Sequence, residues 1–231
     1  MDILSIPVYY ISFNRSYKIE NYYRKVGFKN VNHFNAIDGR KFKPKDLMIK
    51  NIITARSFRD LTCGRESHPG LSSLGAVGCT LSHLSLWEKC VNENMPYMII
   101  AEEDNRFYND TVTDKDLSYI ENTISNPNTI FIATKIKKER CETSFVGLHF
   151  YVVRNDACKA MIKRALPISV QTDWYLANLV NIGELNVVGK EIAFQYNVKG
   201  TMIQDGCIKC YIPGRNSFYR VNNMYNNIYN I

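Results

Sequence analysis

Five apolar or aromatic residues, Tyr97-Met98-Ile99-Ile100-Ala101, run without a break into three acids, Glu102-Glu103-Asp104. So short a run, with no polar alternation, fits a strand covered on both faces, the habit of strands in a parallel sheet flanked by helices. In open sheets of that kind ligands gather beyond the carboxyl ends of the strands, which is where these acids fall. Glu102 and Asp104 are separated by one residue, so in extended chain their side chains point the same way. Together they can hold a hard divalent cation and leave coordination positions for phosphate oxygens. The same acids would also serve as an ordinary solvated strand-to-loop junction.

The rest of the pattern agrees with such a sheet. Residues 6–13 read as a buried strand and 15–26 as a helix that Gly27 can end, which makes a βα unit. Residues 30–37 read as a second strand, closed by Asp38-Gly39, and Pro44 suits the first turn of a short helix. Residues 54–73 carry mixed charge, Gly and Pro without periodicity and read as a loop. Ser72 or Ser73 can cap a helix to about residue 94, with Leu74, Val77, Leu81, Leu84 and Trp87 on one stripe. Thr113 caps a helix to about 124, Asn155 one through 166, and Asp173 opens one through 180. Strands are expected at 129–133, 146–153, 185–189 and 192–196. This alternation predicts a single α/β domain, a mostly parallel sheet with helices on both faces, over 1–215. Residues 216–231, rich in Asn and Tyr, read as a tail that orders only by docking.

Composition narrows the class. With 231 residues, 45% of them apolar, and only 7 Pro and 12 Gly, the chain can bury a sizeable core. No stretch approaches the roughly 18 apolar residues of a spanning helix, and Met1-Asp2-Ile3 lacks the flank of a signal peptide, so a soluble cytosolic protein is expected. Seven cysteines, an odd number, suit reduced thiols better than a disulfide framework. Cys207-Ile208-Lys209-Cys210 is a lone CxxC with no second ligand pair. A net charge of +7 implies an anionic partner but does not choose among nucleic acid, membrane, nucleotide phosphate and glycan. The basic clusters 41–45 and 135–138 lack the interleaved aromatics of a stacking platform, which argues against nucleic acid.

Three blocks of residues carry a resemblance. Val8-Tyr9-Tyr10-Ile11-Ser12-Phe13-Asn14-Arg15 is similar to an apolar strand and Asn-Leu-Asp-Arg type turn, and Asn35-Ala36-Ile37-Asp38-Gly39 to an Ala-x-Asp-Gly block. Gly75-Ala76-Val77-Gly78-Cys79-Thr80-Leu81-Ser82-His83-Leu84-Ser85-Leu86-Trp87 resembles Gly-Glu-x-Gly-Cys-x-Leu-Ser-His-x-x-x-Trp, followed by an apolar strand and acidic triplet at 98–104. These are the marks of glycosyltransferase family 25, which contains lipooligosaccharide glycosyltransferases and collagen galactosyltransferases. Weaker similarity continues at 147–154, 167–168 and 172–174.

The resemblance implies a GT-A-like, Rossmann-like fold, a nucleotide-diphosphate sugar donor such as a UDP-sugar, a divalent metal such as manganese, and transfer with inversion. The acceptor would be a glycan, glycolipid or glycoprotein. Glu102 and Asp104 are the candidate metal ligands, with Glu103 toward sugar or ribose hydroxyls. Asp173 is the candidate base for the acceptor hydroxyl, with helix capping as the competing role. Ser12, Asn14, Arg15, Asp38 and Gly39 are candidates for base and ribose, although each also suits turn chemistry. Ser82 and His83 are candidates for donor contact or for a helix core, and His149 reads as structural. Ala76 for the usual Glu, Glu103 for the middle Asp, and Asn105 for an apolar residue depart from the pattern. A degenerate binding protein therefore stands as the rival to an active transferase.

Overall fold

The computed structural model describes residues 1–65, 67, 69–139, 142–145 and 147–196. The apolar runs assemble into one six-stranded sheet from β1 (Val8–Ser12), β2 (Val31–Asn35), β3 (Tyr97–Glu102), β5 (Thr129–Ile132), β8 (Phe150–Arg154) and β9 (Asn186–Gly189). Their order across the sheet is β2-β1-β3-β8-β5-β9. β1 pairs parallel with β2 and β3, and β5 parallel with β9. β8 lies antiparallel between β3 and β5, the one departure from a uniform direction among these strands. The connection from β5 to β8 suits it: in place of the helix that usually carries a parallel crossover it holds a small hairpin of β6 (Lys137–Glu139) and β7 (Glu142–Ser144). Two further short strands, β4 (Asn105–Phe107) and β10 (Ala193–Gln195), pair antiparallel beside the end of β3.

Helices cover both faces, as the alternation predicts. On one side α1 (Tyr17–Val26) and α5 (Asp114–Ile124) pack on Val8, Tyr10, Ile99, Ala101 and Val152. On the other, α4 (Leu74–Asn92), α6 (Asn155–Ile162) and α7 (Thr172–Asn181) pack on Met98, Ile100, Tyr151 and Val153. Successive strand residues thus feed opposite layers, as a pleat requires. A satellite cluster of Leu47, Ile53, Leu71, Val77 and Ile168 sits beneath α2 (Pro44–Ile49) and α3 (Ala55–Cys63). Among the described residues no helix is long and apolar enough to cross a membrane.

Three local expectations change. The stretch 54–73 is not all loop, because α3 occupies its first half. Thr54 caps it by accepting from Ser57 N, and Ser57 donates to Ile168 O at 2.8 Å. Its buried face includes Ser57 and Asp60, so hydropathy hides the helical period. Asn155 is the first residue of α6 rather than its cap, and its amide donates instead to Cys90 O and Met95 O. Likewise Gln171 stands at the N-cap of α7, which places Asp173 in the first turn. The CxxC at 207–210 and the tail 216–231 lie outside the described residues.

Candidate active site

The carboxyl ends of β1, β2 and β3 open on a cleft of ≈ 470 Å³. Ser12, Asp38, Gly39, Ser82, His83, Glu102, Glu103 and Asp104 line it, so eight sequence-predicted positions converge there from four separate segments.

Its floor is the end of β3. Glu102 Oε2 and Asp104 Oδ2 lie on either side of one amide nitrogen, Gln195 Nε2, each at 3.5 Å. β10 delivers that amide because its antiparallel register sets Gln195 opposite Asn105. The other oxygen of Glu102 faces His83 Nε2 at 3.4 Å, and His83 Nδ1 lies 2.8 Å from the Tyr151 hydroxyl. Trp87 Nε1 donates to the same hydroxyl at 2.9 Å. The Tyr151 proton is then free to go to His83 Nδ1, which assigns the imidazole proton to Nε2, pointing at Glu102. Burial pulls the Glu102 carboxyl upward, but the bonds from His83 and Gln195 outweigh it and hold the group below its ordinary value. For Asp104 the opposing influences, a backbone hydrogen bond and the Arg106 charge, are outweighed. Burial and then the charge of Glu102 push it up to about 7, and its buried Oδ1 has no hydrogen-bond partner among the described residues. His149 is buried just before β8, and burial lowers its pKa against the opposing pull of Glu102 and the Ala193 backbone. Glu103, exposed at the cleft wall, is raised by the protein packed around it and by Glu102.

One wall is a loop laid against a helix. The segment carrying Ile37, Asp38 and Gly39 rests on the first turns of α4, where Ser82 Oγ accepts from Ile37 N at 2.9 Å. A Cβ on Gly39 would lie 1.7 Å from Leu74 O, and one on Gly78 would lie 2.3 Å from Ile37 O. The two glycines of the sequence blocks are therefore matched backbone faces, and their shared role is close approach. Gly78→Ala is expected to cost about 1–3 kcal/mol or more, since backbone rather than a flexible side chain must yield. Thermal melting against a Gly183→Ala control checks this contact, because a Cβ at Gly183 meets nothing within 4 Å although its φ of 76° adds strain of its own. Equal losses in the two variants would count against a special contact at Gly78. Ala76 points away from the cleft, into the satellite cluster, at 3% exposure.

The rim is basic and aromatic. Lys18, Arg40, Arg106, Phe13 and Tyr196 line it together. Arg40 pairs with Asp38 Oδ1 at 2.7 Å and lies 5.4 Å over the Phe13 ring, and this pairing lowers the Asp38 carboxyl. Arg106 lies between the Tyr22 and Tyr196 rings, 4.8 and 5.6 Å from their centroids. Asn105 donates its amide to the Tyr23 hydroxyl at 3.0 Å at a fully buried position, while its Oδ1 finds no partner among the described residues.

Asn14 and Arg15 are exposed and lie outside the residues lining the cleft. Arg15 Nε donates to Glu20 Oε1 at 2.7 Å, and the Tyr10 hydroxyl donates to the same oxygen at 3.1 Å. Glu20 is 3% exposed, and its carboxyl is lowered first by the Arg15 hydrogen bond, against burial. A depressed carboxylate contributes stability above its unfolded pKa of about 4.3 and loses it as pH falls through the lower folded value. Glu20→Gln should therefore cost about 1–3 kcal/mol at neutral pH. The deficit should shrink in acid, a convergence that denaturant titrations at several pH values would detect. Asp173 accepts from Gly147 N at 3.3 Å and Trp174 N at 2.8 Å. It is not a lining residue, but its charge acts on the Cys79 thiol, which is one.

The donor set fits a hard divalent cation: Glu102 and Asp104 face one space, and a buried carboxylate oxygen there has no partner. Sequence reasoning missed Gln195, Arg40, Arg106, Phe13 and Tyr196. Arg40, adjacent to Asp38-Gly39, carried a local signal. Gln195, 93 residues from Glu102, carried none.

Comparison with known proteins agrees with this geometry. The family model described as Glycosyltransferase family 25 (LPS biosynthesis protein) matches residues 5–176. A "Glycosyltransferase 25 family member" of Drosophila pseudoobscura pseudoobscura is 29% identical over 93 residues, 40% of this chain and 14% of that protein. The "Lacto-N-neotetraose biosynthesis glycosyltransferase LgtB" of Neisseria gonorrhoeae is 32% identical over 66 residues, 29% of this chain and 23% of that protein. A "Probable inactive glycosyltransferase 25 family member 3" of Bos taurus is 30% identical over 73 residues, 32% of this chain and 11% of that protein. The match thus spans under a quarter of each of these relatives. With the family model covering most of the described sheet and its cleft, this chain belongs to glycosyltransferase family 25.

Proposed function

We propose that the chain is a metal-dependent, inverting glycosyltransferase that moves a sugar from a nucleotide-diphosphate donor, a UDP-sugar, to a glycan, glycolipid or glycoprotein acceptor. The observation that carries this reading is the pair Glu102 and Asp104, converging around Gln195 with Asp104 Oδ1 buried and unpartnered. The two carboxylates would hold the cation, manganese by preference, and when bound it supplies charge to balance the leaving diphosphate. The nucleoside lies toward Ser12, Asp38 and Gly39, with the Phe13 ring at the rim. Lys18, Arg40 and Arg106 supply further positive charge for phosphate oxygens. Glu103 faces the sugar hydroxyls.

Asp173 takes the proton of the acceptor hydroxyl as its oxygen attacks the anomeric carbon from the side opposite the diphosphate. The new C–O bond forms as the bond to phosphate breaks, so configuration inverts. The free thiols of Cys63, Cys79, Cys90 and Cys158 suit a reducing compartment such as the cytosol.

The test is calorimetric titration of UDP-sugars with and without manganese, paired with a donor-hydrolysis and transfer screen. Binding that needs manganese, together with turnover, is the expected result. Binding without turnover would leave the degenerate reading, which the Glu103 departure and the wording of the bovine relative's description favour. No binding of any nucleotide sugar would overturn both.

A further inference from the structure

We infer that the cleft holds a second cation site, built from Cys79, His83 and Glu102, that takes a borderline-soft divalent ion of the zinc class. Cys79 and His83 are four residues apart on α4, one turn above the other on the same face. Glu102 reaches them from the end of β3. The ligand atoms of the three all lie within 4.8 Å of one another, and all three side chains line the cleft. The separation of His83 Nε2 and Glu102 Oε1, 3.4 Å, is already close to the edge of a tetrahedron around a small cation.

One sulfur, one nitrogen and one oxygen, with the fourth position open to the cleft, is a zinc-type set, since thiolate selects zinc over the harder magnesium or manganese. The support behind the ligands is also present. Binding would take the other tautomer of His83, its proton moved to Nδ1 and donated to the Tyr151 oxygen, which frees the Nε2 lone pair for the cation while Trp87 holds the hydroxyl in place. Gln195 holds the other oxygen of Glu102. On binding, the Cys79 thiol gives its proton to solvent and its sulfur to the ion.

Glu102 belongs to both this triad and the pair with Asp104. On the function proposed above, zinc in the triad and manganese beside the donor exclude each other, because two dications on the two oxygens of one carboxylate repel across a few ångströms. Zinc would then act as an inhibitor that competes with donor and manganese for one carboxylate.

Cobalt(II) alone, added to the reduced full chain without donor, tests the site. One equivalent should give an intense near-ultraviolet sulfur-to-cobalt band that zinc bleaches. Cys79→Ser should abolish the band and weaken binding by more than the roughly 10- to 100-fold that loss of an outer partner costs, whereas a Cys207→Ser/Cys210→Ser double variant should keep it. Zinc should also protect Cys79 of the wild type from alkylation, a readout that needs no variant. A band that survives Cys79→Ser, or a wild type with neither band nor protection, would overturn the site.

For the exclusion, zinc at about ten times its Kd should lower manganese-dependent donor affinity about tenfold in the wild type, and leave Cys79→Ser unaffected. Unchanged donor affinity with zinc bound overturns the exclusion. A zinc-free wild type that binds no donor with manganese overturns the proposed function instead, and the cobalt band still decides the site.

Discussion

Asp104→Ala is expected to abolish manganese-dependent donor binding and leave the melting temperature at or above that of the wild type. The two halves of that result have one cause. Asp104 sits just past the end of β3, where burial and Glu102 push its carboxyl up to about 7, and one of its oxygens has no partner. A carboxylate in that position destabilises the empty cleft, so its removal costs the fold little. With a cation present the same oxygen becomes a ligand, and loss of a ligand should weaken binding by more than about 100-fold. Calorimetry with manganese and a UDP-sugar, beside a thermal melt, reads both halves. Donor affinity equal to wild type would remove Asp104 from the cation site, and a large drop in melting temperature would show that it serves packing instead.

For Asp173 the expected loss is in rate. If it accepts the acceptor proton, Asp173→Asn should lower transfer by about 10² to 10⁴ while donor affinity and stability stay near wild type. Asparagine keeps the volume and one acceptor oxygen, enough for the shorter bond from Trp174 N, and gives up only the longer one from Gly147 N, which uses the other carboxylate oxygen. Asp173→Ala should lose transfer equally and, in addition, about 0.5–1.5 kcal/mol from the lost hydrogen bonds. Gln171 occupies the N-cap of α7, so that deficit would come from the bond to Gly147 and from the charge in the first turn rather than from capping. Transfer near wild type in Asp173→Asn would sink the assignment and pass the role to Glu103, which lines the cleft and whose carboxyl is raised by burial and by Glu102.

The expectations that held are those carried by local pattern. β3 and its acids, the βα unit of β1 and α1 ending at Gly27, and α4 capped by Ser73 follow from periodicity, capping and turn chemistry within a few residues. The layered α/β sheet follows from how those units alternate. Asp38-Gly39 was legible as a turn and Gly78 stood inside a family-like block, but the two were not legible as surfaces of one contact, because the Cβ clash that excludes other residues exists only once the loop lies on α4.

Local pattern also failed where the chain buried polar groups. α3 went unread because Ser57 and Asp60 turn inward, and the reversal of β8 depends on a hairpin whose strands have only three residues each. At the site, the residue types around the acidic triplet were visible in the order of amino acids, together with the chance that Glu102 and Asp104 share a cation. Tertiary structure alone decided that Gln195 lies between them, that His83 is held by Tyr151 and Trp87, that Arg15 serves Glu20 rather than the cleft, and that Asp104 differs from Glu102 in its proton affinity. Strand propensity and side-chain alternation are properties of neighbouring residues, whereas hydrogen-bond partners and desolvation are properties of whatever the fold packs against a group, and here, Arg15 and Glu20 apart, those partners come from dozens of residues away.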